Sequence, residues 1–119
     1  MTPLEVGTHL VKLINEGKFE ELYAQLYSPE IASIEPTPGS MQISKGMAAI
    51  NAKNEWWYAE HETKGLVVEG PWPHGNQFIL TFDMDLVHRT SGKPFRMKEA
   101  ALYTVEGGKI VEEKFFYES

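Results

Sequence analysis

The chain has 119 residues, 42% of them hydrophobic and 24% charged, and it contains no cysteine. This is the composition of one soluble globular domain spanning residues 1–119, long enough to bury a core without disulfides or metal. The missing cysteine also excludes thiol catalysis and cysteine-ligated zinc. Eleven basic residues against 17 acidic ones leave a formal charge of −6, which works against nucleic-acid binding and against anionic membranes. No apolar run approaches the roughly 20 residues of a spanning helix, and the N-terminus has no basic stretch followed by an apolar one, so a cytoplasmic location is expected. Six Phe, five Tyr and three Trp are many for so short a chain, and a cavity wall is one place for them.

Thr2-Pro3-Leu4-Glu5 forms a capping box, with Thr2 as N-cap and Pro3 at the first helical position. Leu4, Val6, Leu10, Leu13 and Ile14 follow at helical spacing, and Gly17 supplies the stop. Phe19, Leu22, Tyr23, Leu26 and Tyr27 mark a second helix that ends at Ser28-Pro29. Ile31 to Glu35 predicts a short strand, followed by a loop through Pro36-Thr37-Pro38-Gly39-Ser40. A third helix is predicted from near Ser44 to Gly46, with Met47, Ile50, Trp57, Tyr58 and His61 on or near one side, ending at Lys64-Gly65. From Leu66 the period changes to 2, and turns near Gly75, Gly92 and Gly107-Gly108 separate four strands. In the longest, Gln77 to His88, residues Phe78, Leu80, Phe82, Met84 and Leu86 share one face. The order α-α-β-α-β-β-β-β predicts an α+β domain with helices covering one face of a curved sheet.

Three strings carry a family resemblance: the helical pair running from Asn15-Glu16-Gly17-Lys18 into Leu26 to Glu35, the Lys45-Gly46-Met47-Ala48-Ala49-Ile50 segment, and the final hairpin from Tyr103 to Glu113. In this order the chain resembles the nuclear-transport-factor-2-like superfamily, specifically its SnoaL-like and ketosteroid-isomerase-like members. The resemblance implies a cone-shaped α+β barrel in which three N-terminal helices pack on a strongly curved, mostly antiparallel sheet around an apolar pocket. It also implies a homodimer formed through the outer sheet face. Such a fold serves isomerases, cyclases, lyases and non-catalytic modules alike, so the activity has to be argued from the site.

The isomerase branch uses a carboxylate base, a tyrosine and a protonated aspartic acid. By resemblance these positions fall near Glu35, on Val11 and on Ala100, which rejects a steroid-isomerase mechanism. Glu35, next to Pro36, is read as displaced by one position toward solvent. A two-residue turn at Gly107-Gly108 places Lys98, Ala100, Leu102, Val111, Glu113, Phe115 and Tyr117 on one face, which the resemblance turns inward. Glu113 among apolar neighbours is the first acid–base candidate, with Arg96 or Lys98 as ion-pair partners. Glu99 and Glu112 fall on the outer face with Tyr103, Val105, Ile110 and Phe116, unless a bulge exchanges the faces and makes Glu99 the pocket acid.

Candidate catalytic residues are therefore Glu113, Glu35 and Glu99, and the candidate pocket wall is Tyr23, Tyr27, Trp57, Phe82, Met84, His88, Leu102, Phe115 and Tyr117. Asp83 and Asp85 read as outward-facing acids. His9, His61, His74 and His88 have no metal-ligand spacing, and neither a metal nor a cofactor is expected. Trp56 is expected to point outward, and Trp72 at a hairpin tip is a lid candidate. The expected partners are a hydrophobic small molecule and a second copy of the chain, with no nucleic acid and no membrane. The reading is a small-molecule-binding protein that performs isomerase, cyclase or lyase chemistry through a pocket carboxylate; the alternative is a non-catalytic binding or assembly module.

Overall fold

The structure, a computed structural model, describes residues 1–117. Thr2 caps helix α1 (Pro3–Asn15), its hydroxyl accepting from the Glu5 amide at 3.2 Å while Glu5 Oε1 accepts from the Thr2 amide at 2.9 Å. The chain turns out of α1 at Gly17, whose φ of 70° favours glycine. Helix α2 (Phe19–Leu26) stops one residue short of Tyr27, which instead opens strand β1 (Tyr27–Ile34). Pro29 disfavours helical backbone at Ser28, so the strand begins ahead of the proline. A three-residue strand β2 (Ile43–Lys45) pairs antiparallel with β1. It is too short to show a period, and the sequence pattern instead starts the third helix near Ser44 to Gly46.

Helix α3 (Met47–Glu60) ends before the expected Lys64-Gly65. His61 to Lys64 open β3 (His61–His74) instead, because β4 (Gln77–His88) provides an extended partner, pairing His88 with His61 and Leu86 with Thr63. Strands β5 (Pro94–Glu106) and β6 (Lys109–Phe116) complete one sheet in the order β2-β1-β6-β5-β4-β3, with β1–β6 its parallel pair. The three helices and this curved, mostly antiparallel sheet form the expected α+β cone. No helix among the described residues is long and apolar enough to cross a membrane.

One irregularity decides which side chains point inward. Glu106 pairs with Lys109 and Val105 with Ile110, but Thr104 pairs with Glu112, so β6 carries one extra residue at Val111. Such a bulge reverses the alternation beyond it. Glu113 and Phe115 therefore share the inner face with Glu99, Ala101 and Tyr103, while Lys98, Ala100 and Leu102 turn outward. Tyr103, Val105 and Ile110, expected outside, are buried in the core. There they pack with Val6, Leu10, Leu13, Leu22 and Leu26 from the helices and with Ile31, Ile50, Phe78 and Leu80. Gly7 lets α1 approach the sheet: a Cβ there would lie 2.8 Å from Pro71 Cβ.

Candidate functional site

A cavity of about 550 Å³ opens between the helices and the inner face of the sheet. Leu10, Ile14, Phe19 and Leu22 wall it from α1 and α2, Trp57 and Tyr58 from α3, and Phe82, Met84, Met97 and Phe115 from the sheet. Most of this wall is apolar, as expected of a small-molecule pocket. Its floor is polar: Glu35, Lys53, Glu99, Glu113, Tyr27 and Tyr103 all line it.

Glu113 is 5% exposed. Its Oε1 accepts from Ser33 Oγ at 2.9 Å and its Oε2 accepts from the Tyr27 hydroxyl. Lys53 donates to Ser33 Oγ and stands 3.6 Å from Glu35 Oε1, so one ammonium from α3 serves two acids. Burial raises the Glu113 carboxyl above the ordinary value, against the pull of the Tyr27 bond, of Lys53 and of the Ser33 bond. The Tyr27 and Tyr103 phenols are pushed well above the usual range, first by burial and then by the adjacent Glu113 charge. Both keep their protons and remain donors.

Burial also raises Glu35, with Lys53 opposing. The Tyr117 hydroxyl approaches this carboxylate, yet Glu35 Oε2 is buried without a hydrogen-bond partner. Glu99 is pushed up to about 7, by burial and then by the charges of Glu35 and Glu113, with Lys53 partly offsetting them. A carboxyl titrating there can both take and give a proton at neutral pH.

All three candidate acids thus reach one cavity, along with Tyr23, Tyr27, Trp57, Phe82, Met84, Phe115 and Tyr117. Leu102 does not, because the bulge turns it outward. His88 does not either: it sits exposed at the end of β4, its ring 4.9 Å from that of His61 and 5.7 Å from that of Phe95. Glu35 was expected to face solvent, but it continues the inward alternation of Ile31 and Ser33 and lines the floor. The expected ion-pair partners of Glu113 are elsewhere. Arg96 is on the outer face, bonding Asp83 bidentately at 2.8 and 3.0 Å, and Lys98 turns outward beside it.

Lys53 and Ser33 were missed, and each had a signal. Lys53 lies three residues after Ile50 and four before Trp57, on the apolar stripe of α3. Ser33 falls in the inward frame of β1. His61 is buried, stacked on Trp57 with ring centroids 3.9 Å apart and bonded through Nδ1 to the Trp57 carbonyl at 3.1 Å. Trp56 points outward at 49% exposure, and Trp72, the lid candidate, does not line the cavity. Among the described residues no three His, Cys, Asp or Glu converge as metal ligands.

The family profile described as SnoaL-like domain matches residues 1–117. The chain belongs to the SnoaL-like family. No curated protein matches this SnoaL-like chain in sequence. Among solved structures it is similar to a Mesorhizobium loti protein provisionally assigned as a SnoaL-like polyketide cyclase and, in the same name, as a carbohydrate phosphatase. The two share 38% identity over 98% of this chain and 100% of the other, with a TM-score of 0.92. A provisionally assigned isomerase of Bacillus subtilis superposes with a TM-score of 0.81 over 99% of this chain and 90% of its own. An NTF2-like protein of Burkholderia thailandensis gives 0.81 over 99% and 92%. At 13% and 17% identity these last two speak for the fold alone.

Proposed function

We propose that this SnoaL-like protein binds a largely apolar small molecule in the cavity and carries out proton-transfer chemistry of the isomerase, cyclase or lyase kind, with Glu99 as the acid–base group. The observation that carries this reading is the convergence of three acids and one ammonium on the floor of a single apolar cavity of about 550 Å³. Both Glu113 oxygens are engaged by Tyr27 and Ser33, which suits that residue to holding the floor rather than to moving a proton. Glu99, pushed up to about 7 by burial and by the charges of Glu35 and Glu113, lines the same space, and a pKa near the working pH is what a general base needs. Removal of a proton from a carbon beside a carbonyl moves charge onto the carbonyl oxygen, and the protonated Tyr103 phenol is a donor for it.

Of the two activities in the name of the Mesorhizobium protein, the cavity favours the cyclase kind. Three carboxylates against one ammonium make a poor seat for a phosphate dianion. The assembly-module alternative is disfavoured because it leaves the cavity without a use.

Deuterium exchange tests the assignment. The protein in D₂O with a panel of aromatic ketones should incorporate deuterium beside the carbonyl faster than buffer does, and Glu99→Gln should lose the acceleration. Equal exchange by the two proteins, or exchange at the buffer rate across the panel, removes Glu99 and proton transfer from the account.

We also propose that the protein is a homodimer through the outer sheet face. Val67, Ile79 and Phe116 are exposed at 56%, 41% and 48%, and Val67 and Phe116 border a shallow groove with Thr81 and Ala100. Exposed apolar surface of this kind favours a partner. Light scattering should give twice the chain mass, and Phe116→Glu should give the chain mass.

A further inference from the structure

We propose that the ligand of this cavity is an organic cation: an apolar molecule carrying a protonated amine that sits at the floor between Glu35 and Glu99. The inference rests on the cavity being a small-molecule site and adds the chemical class of its occupant. Acids outnumber cations there. Glu35, Glu99 and Glu113 line the cavity with one cation, Lys53, whose ammonium is already committed to Ser33 and Glu35 Oε1. Glu35 Oε2 is buried with nothing donating to it, and a buried acceptor left unmade costs more than a hydrogen bond ordinarily gains. An anionic ligand would find no free cation, whereas an ammonium brings three donors and the missing positive charge. The wall adds to the fit, since Tyr23, Trp57 and Phe82 line the same space and aromatic faces attract ammonium groups. The described acids do not converge as metal ligands, so the cation is an organic one.

A proton is displaced when the amine binds. Burial and the charges of Glu35 and Glu113, with only Lys53 opposing, push Glu99 up to about 7, so it carries a proton about half the time at pH 7. A bound ammonium lowers the cost of ionising it. The Glu99 carboxyl then releases its proton to solvent and accepts a hydrogen bond from the ligand nitrogen, which stays protonated throughout.

Calorimetry with three probes of one apolar body tests this: phenylbutylamine, phenylbutanol and phenylbutyrate, titrated at pH 7 in two buffers of different ionisation enthalpy. The amine is expected to bind at least about tenfold more tightly than the alcohol, with the acid weakest, and to release protons. Glu35→Gln is expected to narrow the amine-to-alcohol ratio, and Asp85→Asn on the outer face to leave it unchanged. If Glu35→Gln fails to fold, the ratio in the unaltered protein still decides. A ratio below about tenfold, or an acid that binds as tightly as the amine, overturns the cation assignment and leaves the small-molecule reading standing. No binding by any of the three up to about 10 mM overturns both.

Discussion

The two faces of the sheet carry carboxyls whose pKa values are moved in opposite directions. On the outside Asp83 accepts both bonds of the Arg96 guanidinium, which holds its carboxyl below the ordinary value. On the inside Glu99, one strand over from Asp83 and a single residue on from its pairing partner Lys98, is pushed up to about 7 by burial and by Glu35 and Glu113. Water and the Arg96 guanidinium favour the charged form of Asp83, and the inner acids share one lysine in a space that water reaches poorly. Position relative to the pleat, rather than residue type, separates an acid held charged from one pushed toward its neutral form.

The largest expected effect is on turnover. Glu99→Gln should lower any proton-transfer rate by about 10²–10⁴-fold while circular dichroism shows the fold retained, whereas Asp83→Asn should leave the rate unchanged. Equal losses from the two faces would break the comparison. Next in size is the loss of the shared cation. Lys53→Met leaves Glu35 and Glu113 without their ammonium, and denaturant unfolding is expected to show a destabilisation of about 3 kcal/mol, as when one member of a buried charge network is removed. If Lys53→Met is as stable as the parent, the lysine does not hold the floor together.

A smaller effect is the pH dependence. Glu99 binds its proton more tightly in the folded chain, near 7, than at the ordinary 4.5. Between those values the folded state holds more protons, so stability falls as pH rises across that window and the loss is complete above it. Burial raises Glu113 and Glu35 in the same direction. Glu99→Gln should flatten the thermal midpoint between about pH 5 and pH 7 and raise it at pH 8 relative to the parent. The smallest effect is on the outer face: Asp83→Asn should shift the midpoint within measurement error and weaken as salt is added, as exposed ion pairs do.

Much of the architecture was legible because it follows from local rules. The Thr2 and Glu5 cap, the Gly17 stop, the two amphipathic helices and the period-2 strands each have a short-range cause, and their order pointed to the cone. The misreadings share a non-local origin. Helix α3 ended early because β4 offered His61 to Lys64 a partner some 25 residues on, and β2 is an element only by virtue of pairing with β1. The bulge at Val111 reversed the expected face of β5 and brought Glu99 and Tyr103 inside while sending Leu102 out. Glu113 was read correctly as inward, but its partners were not, since a lysine on a helix and a serine on β1 meet it only across the closed cone. Lys53 on an apolar stripe was the signal to weigh more heavily: a charge in a buried frame is seldom there without an acid opposite.

The most direct test of this account is the titration of Glu99 itself. Side-chain carboxyl carbons followed by NMR from pH 3 to pH 9, with Glu99 assigned through Glu99→Gln, should show its midpoint near 7. A midpoint at the ordinary glutamate value of 4.5 would mean that the floor is as well solvated as the outer face, and would contradict the central claim.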